Sequence, residues 1–248
     1  IDDIEKENFK NILYLKASAT AYERALKNLS RYLYTHHKKR PVILIDEYDS
    51  PIHTAYTEKY YKEMAAFFRS FLGAGLKDNP DIFKGILTGI LRIAKESIFS
   101  EMNNPGVYSI VSNKFADKFG FTEVELEELL KNCNLEQETE KVKKWYNGYI
   151  FGKHVIYNPW SVICCCSNIE DGYRPYWANT GSKDIIKSLL KDSPQTVKTE
   201  LHDLLNNVPV TKRLNENIAF QDLIKDETTI YSFLVFSGYL KAFDKQHI

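Results

Sequence analysis

Two adjacent carboxylates, Asp46 and Glu47, are the side chains of this sequence best placed to do chemistry. They directly follow the apolar run Val42–Ile45, which a proline precedes. A short run of large, mostly β-branched residues predicts a strand that is buried on both faces of a parallel sheet. Ligands of open α/β sheets bind beyond the carboxyl ends of the strands, so the acid pair is expected at such an edge.

An acid pair at this position is typical of a Walker B element. In nucleoside triphosphatases that contain this element, the first acid helps to hold Mg²⁺ on the nucleotide phosphates, and its neighbour can polarise the attacking water. Asp46 would then be a metal ligand, and Glu47 a general base. A structural alternative stays open, because acids that follow a strand also cap the next turn.

The next apolar strand is predicted over Lys84–Ile90, and Thr88 is the lone polar residue at its carboxyl end. A small polar side chain here corresponds to the sensor 1 position, which contacts the water or the γ-phosphate. Four residues later, Arg92 is near enough in principle to reach a phosphate or a neighbouring subunit's nucleotide. A surface salt bridge is the alternative role for Arg92.

Helices are predicted on both sides of the first strand. Apolar residues at helical spacing indicate a helix over Thr20–His37, which begins with a capping box formed by Thr20 and Glu23. A second helix is predicted over about 58–72, with Gly73 as its C-terminal cap. Strands that alternate with helices predict an α/β fold in which the first strand is central to a parallel sheet and the second is adjacent.

The pattern becomes mainly helical in the second half of the chain. The predicted elements are a helix with a capping box of Thr122 and Glu125, a hairpin around Gly152, a helix that begins at Asn158-Pro159, and a terminal helix over Ile230–Leu240. Helices with a small hairpin suggest a winged-helix-like lid. The predicted domains are therefore an α/β unit, residues 1–115, and a helical unit, residues 116–248.

Composition narrows the classes of function. The 248 residues include 33 basic and 33 acidic side chains, so no overall field draws the chain toward nucleic acid or an anionic membrane. There is no apolar run of the ~20 residues that a membrane span needs and no signal-peptide pattern, so the cytoplasm is the expected location. The four cysteines, three of them consecutive at Cys164–Cys166, match neither a disulfide framework nor a zinc motif and are expected to fill the core.

Large aromatic residues are concentrated in the helical half. They are Trp145, Tyr146, Tyr157, Trp160, Tyr176 and Trp177. Winged-helix folds often bind DNA, and exposed rings can stack on bases. Because the charge balance is neutral, the rings are instead expected to lie in the core.

Together these motifs resemble the AAA-ATPase-like domain of bacterial proteins. The resemblance is carried by the segments Leu44–Pro51 and Leu87–Ser100 and by aromatic motifs at 119–123, 145–149, 157–161 and 176–180. It implies a P-loop NTPase-like parallel sheet that uses ATP and Mg²⁺. By the same resemblance Asp46 takes the magnesium role, Glu47 the base role, Thr88 the sensor role and Arg92 the phosphate-sensing role.

One departure from the family pattern is serious, because no Gly-x-x-x-x-Gly-Lys-Ser/Thr sequence occurs in the chain. The nearest match, Gly148–His154, is one residue short, has bulky residues within the loop and is interpreted as a hairpin turn. The chain also begins at Ile1 rather than at methionine. It is therefore interpreted as an N-terminally truncated fragment that by itself neither binds nor hydrolyses ATP.

Three classes of function follow from the resemblance. The first is an ATP-hydrolysing switch or motor with ATP as ligand, and the second is a nucleotide-free protein-interaction or regulatory module. The third is the ATPase portion of a nuclease-linked protein that acts on DNA, since members of this family often carry a PD-(D/E)XK nuclease domain. No Asp/Glu-x-Lys triplet occurs in the chain, so that nuclease site is not in it. A protein partner or an oligomer is expected, and a membrane is not.

Overall fold

A computed structural model describes residues 2–90, 105–179, 190–191, 193–217 and 227–243. The chain divides into two compact units, Ile1–Gly106 with Asn215–Leu223, and Val107–Leu214 with Ile224–Ile248. Among the described residues, each unit contains one two-stranded sheet, parallel in the first and antiparallel in the second.

The first unit packs helices with a short parallel sheet. Its elements are α1 (Asp3–Leu13), α2 (Ala19–Glu23), α3 (Ala25–His37), β1 (Val42–Ile45), α4 (Ser50–Thr57), α5 (Tyr61–Leu76) and β2 (Lys84–Leu87). Strands β1 and β2 pair in parallel, from Val42 opposite Lys84 to Ile45 opposite Leu87. This confirms that the two apolar runs are adjacent strands of one parallel sheet.

The burial predicted for β1 is wrong on one face. Successive side chains of a strand point to opposite faces, so Val42 and Leu44 share a face and Ile43 lies on the other. Ile43 is buried, whereas Val42 is 48% and Leu44 72% exposed. Ile86 of β2 is also exposed and lies on the face of Leu44. In the described part of the chain, this face of the sheet is therefore open to solvent.

The helices before β1 begin and break at residues other than those predicted. Ser18, and not Thr20, is the N-terminal cap, because its hydroxyl accepts a hydrogen bond from the Ala21 amide at 3.3 Å. The predicted single helix is also interrupted at Arg24, which separates α2 from α3.

Helix α5 begins at Tyr61, later than predicted, and continues through Gly73 to Leu76. Gly73 is a buried residue inside the helix rather than its cap. Two residues later, a Cβ at Gly75 would lie 2.6 Å from a methyl carbon of Leu26 on α3. The small residues of α5 thus let α5 and α3 approach closely. Glycine is needed here because a side chain would clash with Leu26, and not because the backbone makes a left-handed turn.

The second unit consists of helices and a hairpin. Its elements are α6 (Glu123–Asn132), α7 (Thr139–Tyr146), β3 (Asn147–Phe151), β4 (His154–Tyr157), α8 (Pro159–Ser167), α9 (Gln195–Leu205) and α10 (Glu227–Phe236), with 3₁₀ turns at Glu136–Glu138, Ile169–Asp171 and Tyr176–Asn179. The antiparallel pairing of β3 and β4 confirms the predicted hairpin around Gly152. Glycine suits this turn because its φ is +54° and because a Cβ there would lie 2.8 Å from the backbone oxygen of Ser112.

Two of the predicted helix starts in this unit are confirmed. Thr122 and Glu125 form the capping box of α6, with the Glu125 carboxylate accepting from the Thr122 amide at 2.9 Å. The side-chain oxygen of Asn158 accepts from the Ser161 amide at 3.0 Å, and Pro159 is the first residue of α8. The terminal helix also forms, as α10, and most of its residues are buried, but it begins at Glu227 and ends at Phe236 rather than running from Ile230 to Leu240.

The core of the second unit forms where α6, α7, β4 and α8 meet. Its buried members are Leu126, Leu130, Val142, Tyr146, Tyr157, Val162 and Cys165. Burial raises the pKa of the Cys165 thiol, which keeps it protonated and suits it to the space-filling role expected of it. Cys133 is exposed, so the prediction is wrong for that cysteine. A second cluster joins α9 to α10 through Val197, Ile230, Tyr231 and Leu234.

The prediction that the aromatic motifs are core is wrong for the tryptophans. Tyr146 and Tyr157 are buried as expected. Trp145, Trp160 and Trp177, which are all the tryptophans of the chain, are between 44% and 58% exposed. The indole rings therefore lie at the surface, where an apolar body next to water is typical of binding sites rather than of cores.

Candidate functional site

The carboxyl ends of β1 and β2 bring two of the predicted site residues together. Asp46 follows β1, Thr88 follows β2, and the Thr88 hydroxyl donates a hydrogen bond to Asp46 Oδ1 across 42 residues of sequence. The backbone continues the pairing, since the Thr88 amide donates to Ile45 O at 2.9 Å and the Tyr48 amide donates to Thr88 O at 3.0 Å. The two strand ends are thus held in one fixed arrangement.

Glu47 adopts a backbone conformation that is unusual for its residue type. Its φ is +49°, in the left-handed region, where a side chain crowds the backbone and costs roughly 1 kcal/mol or more. Its amide donates to Asp46 Oδ1 at 2.9 Å. The Glu47 side chain itself is exposed and makes no hydrogen bond to the described residues. This turn therefore fixes the Asp46 carboxylate and leaves that of Glu47 facing solvent.

The structure adds a third acid, Asp49, to which sequence reasoning gave no role. Asp49 is buried, and its Oδ2 accepts a hydrogen bond from the Ile90 amide at 3.1 Å. It thereby ties the turn after β1 to the turn after β2. The sequence signal was the third carboxylate three residues after Asp46, but its partner is 41 residues away and cannot be read from local spacing.

Gly89 makes this connection possible. A Cβ built at Gly89 would lie 2.5 Å from Asp49 Oδ1 and 2.8 Å from the ring of Tyr48. Both neighbours are buried and cannot move freely. A side chain at this position would therefore push the two turns apart.

We expect Gly89→Ala to lower the free energy of unfolding by about 1–3 kcal/mol, since overpacking at a rigid contact forces its neighbours to shift. Urea denaturation followed by circular dichroism measures this change. Gly148→Ala is the matched control, because the nearest atom to a Cβ there is 3.8 Å away. Equal stability of the two variants would show that the contact of Gly89 with Asp49 and Tyr48 is not tight.

The fourth predicted site residue, Arg92, lies outside the described residues. Its phosphate-sensing role stays a prediction. A shallow surface depression in the same unit is lined by residues between Leu76 and Gly85, next to the amino end of β2. It lies at the opposite end of the strand from Thr88 and is not part of the acid site.

The acid site is better suited to a magnesium ion that also binds phosphate oxygens and waters than to a metal bound by protein side chains alone. No cluster of three or more His, Cys, Asp or Glu side chains suited to a metal occurs in the described ranges. Asp46 is exposed, and its second oxygen, Oδ2, accepts no hydrogen bond from the described residues. Mg²⁺ is commonly held by one or two carboxylates together with phosphate oxygens and waters, which matches a single free carboxylate oxygen.

Comparison with known proteins identifies the segment that contains this site. Residues 2–99 match the family described as "Predicted AAA-ATPase". This confirms the resemblance over that segment. No helix in the described ranges has the length and apolar character needed to cross a membrane.

One curated relative extends beyond that segment. It is the "Uncharacterized protein in vnfD 5'region" of Azotobacter chroococcum mcd 1, which is 27% identical over 155 residues. The alignment covers 62% of this chain but only 30% of that protein, so the chain spans less than a third of the relative. No solved structure matches the chain.

Proposed function

We propose that residues 2–99, which match the predicted AAA-ATPase family, are part of an ATP-dependent molecular switch or motor. The observation that supports this is the hydrogen bond between Thr88 and Asp46 at the carboxyl edge of the parallel sheet. That edge is where ligands of α/β sheets bind. We further propose that the second unit, with its helices and hairpin, is a winged-helix-like lid.

Each side chain at this edge has a distinct role in the proposal. Asp46 is the metal ligand. The Thr88 hydroxyl has one proton, which it donates to Asp46 Oδ1 in the absence of nucleotide and turns to donate to the phosphate when a nucleotide binds. Glu47 accepts a proton from the attacking water, for which an exposed carboxylate without a competing partner is suited. Arg92 would contact a phosphate. Bound Mg²⁺ supplies charge neutralisation on the phosphate oxygens.

The phosphates of a nucleotide need further partners. In P-loop enzymes these are the backbone amides and the lysine of the P-loop, and the 248 residues contain no such sequence. We propose that the P-loop belongs to a part of the protein outside these residues. Calorimetry with Mg-ATP tests this, with little ATP affinity expected for the chain alone and clear binding for a longer chain that includes a P-loop. Tight binding by the chain alone, or no binding by the longer chain, would refute it.

In that longer chain, we expect Asp46→Asn to weaken Mg-ATP binding by about 10- to 100-fold, with little effect on ATP binding without magnesium. Asparagine keeps an oxygen that can accept from Thr88 and from the Glu47 amide, so the turn is preserved while the charge is lost. Calorimetry with and without Mg²⁺ measures both quantities.

The matched control for Asp46→Asn is Asp78→Asn, another exposed acid in the same unit. Asp78 lies in a left-handed turn before β2, at the other end of the sheet. Magnesium-dependent binding should be unchanged in this variant. A similar loss in both variants would assign the effect to overall charge rather than to a ligand at Asp46.

A second candidate function is a nucleotide-free interaction module. The missing Gly-x-x-x-x-Gly-Lys-Ser/Thr sequence favours it. The same calorimetry separates the two candidates, because an interaction module would bind no ATP even in a longer chain.

A further inference from the structure

Three aromatic segments of the second unit, together with its C-terminal end, surround one cavity of about 210 Å³. The segments are those around Trp145, Ser161 and Trp177, which lie at the end of α7, in the first turn of α8 and in a 3₁₀ turn. The side chains that form most of its wall are Trp145, Tyr146, Tyr149, Trp177, Tyr239 and Leu240. The acid site in the first unit uses none of these residues.

The cavity depends on a close approach of the C-terminal segment. Gly238 has a φ of +80°, and a Cβ there would lie 2.7 Å from the ring of Tyr149. Only glycine permits this turn at this distance. It places Tyr239 edge-on to Trp177, with ring centroids 6.4 Å apart. Both rings are about half exposed, so they have room to move when a ligand enters.

One polar group in the wall of this cavity is unsatisfied. Ser161 is fully buried, and its hydroxyl has no hydrogen-bond partner among the described residues. A helical serine usually bonds to the carbonyl one turn earlier, here that of Tyr157, but Ser161 does not make this bond. A buried hydroxyl without a partner costs about 1–3 kcal/mol. Ser161 Oγ is closed off in this structure, so a ligand atom can pair with it only after a ring of the wall moves aside.

The cavity has room for about one aromatic side chain. Sites for whole small molecules are typically about 300–1,000 Å³, whereas a cavity of ~150 Å³ accommodates benzene. At about 210 Å³, this cavity suits a single aromatic group with a polar substituent. Most of a complete nucleotide or cofactor would lie outside it.

Either a nucleic acid or a protein could supply such a ring, and the charge of the cavity wall distinguishes between them. Proteins that stack the bases of single-stranded nucleic acid also track its backbone with a basic groove. In the described wall, Lys241 is the one charged residue, and the chain as a whole is neutral. Exposed tryptophan and tyrosine around a pocket are instead typical of the anchor sites of protein interfaces.

We propose that this cavity binds a tyrosine or tryptophan side chain from an extended segment of a partner protein. The ring packs among Trp145, Trp177 and Tyr239, and its hydroxyl or indole N–H hydrogen-bonds to Ser161 Oγ. The remaining contacts of the partner segment lie on the exposed faces of the same rings.

The test uses blocked amino acids as probes. They are titrated into a solution of the chain, and saturation-transfer NMR measures their binding. N-acetyltyrosinamide should bind saturably and about 2- to 10-fold more tightly than N-acetylphenylalaninamide, because of one additional hydrogen bond. N-acetylleucinamide should bind more weakly than both. The absence of saturable binding, or equal binding of all three probes, would overturn the proposal.

Variants locate the binding. Ser161→Ala should remove the preference for tyrosine over phenylalanine without lowering stability, since it deletes an unsatisfied hydroxyl. Trp177→Ala should weaken the binding of both aromatic probes at least about fivefold, while its control Trp160→Ala, also exposed but outside the cavity wall, should not. A tyrosine preference that persists in Ser161→Ala would overturn the assignment of the hydrogen bond. Competition by a single-stranded oligothymidylate that depends on Trp177 would assign the site to a nucleobase instead.

Discussion

Glu47→Gln is expected to reduce ATP turnover by about 10²- to 10⁴-fold while Mg-ATP still binds, in a longer chain that includes a P-loop. Glutamine has the shape of glutamate but cannot accept a proton from water. The Glu47 side chain makes no hydrogen bond to the described residues, and the bond that fixes the turn comes from its backbone amide. The substitution should therefore change the chemistry and leave the fold intact. Phosphate release measures turnover, and calorimetry measures binding.

The matched control for this prediction is Glu58→Gln. Glu58 is also exposed and belongs to the same unit, but it follows the end of α4 and not the end of a strand. Turnover in this variant should equal that of the unmodified chain. If Glu47→Gln hydrolyses ATP normally, the acid pair is a structural cap of the turn and the proposed base lies elsewhere.

The pairing of β1 with β2 can be predicted from sequence because it depends on local patterns. Each strand is a short apolar run, and a segment long enough for helices separates the two, which favours a parallel arrangement. The meeting of Asp46 with Thr88 then follows, because each is the first residue after its strand. To predict that part of the candidate site, only the order of the strands and helices was needed.

The exposed face of β1 could not be predicted in the same way. An apolar run shows that a strand can be buried, but burial also needs another element to cover each face. Ile43 has such cover and Leu44 does not. Asp49 was missed for a similar reason, since its bond to the Ile90 amide depends on how two distant turns pack.

Capping residues show that two sequence signals for the start of a helix can compete. Thr122 with Glu125 and Thr20 with Glu23 are the same sequence pattern, yet only the first forms a capping box. Ser18 precedes Thr20 by two residues and is an equally good cap. Where two caps compete, packing of the helix against its neighbours decides which is used, and the sequence alone does not settle it.

Leu126→Ala and Ile52→Ala are expected to destabilise different parts of the protein if the two compact units fold independently, as we propose. Leu126 is fully buried in the core of the second unit, and Ile52 is fully buried in α4 of the first. Each substitution leaves a cavity and should lower the stability of its own unit by about 2–5 kcal/mol. Leu205→Ala, at a leucine that is 84% exposed, is the control and should have little effect.

The positions of the tryptophans allow the two units to be followed separately. All three lie in the second unit, so tryptophan fluorescence in urea reports the unfolding of that unit alone, whereas circular dichroism reports both. Leu126→Ala should shift the fluorescence transition to lower urea concentration. Ile52→Ala should shift part of the circular dichroism transition and leave the fluorescence unchanged. If Ile52→Ala shifts the fluorescence transition as much as Leu126→Ala does, the chain unfolds as one cooperative unit. Loss of packing in α4 would then have destabilised the half of the chain that contains the tryptophans.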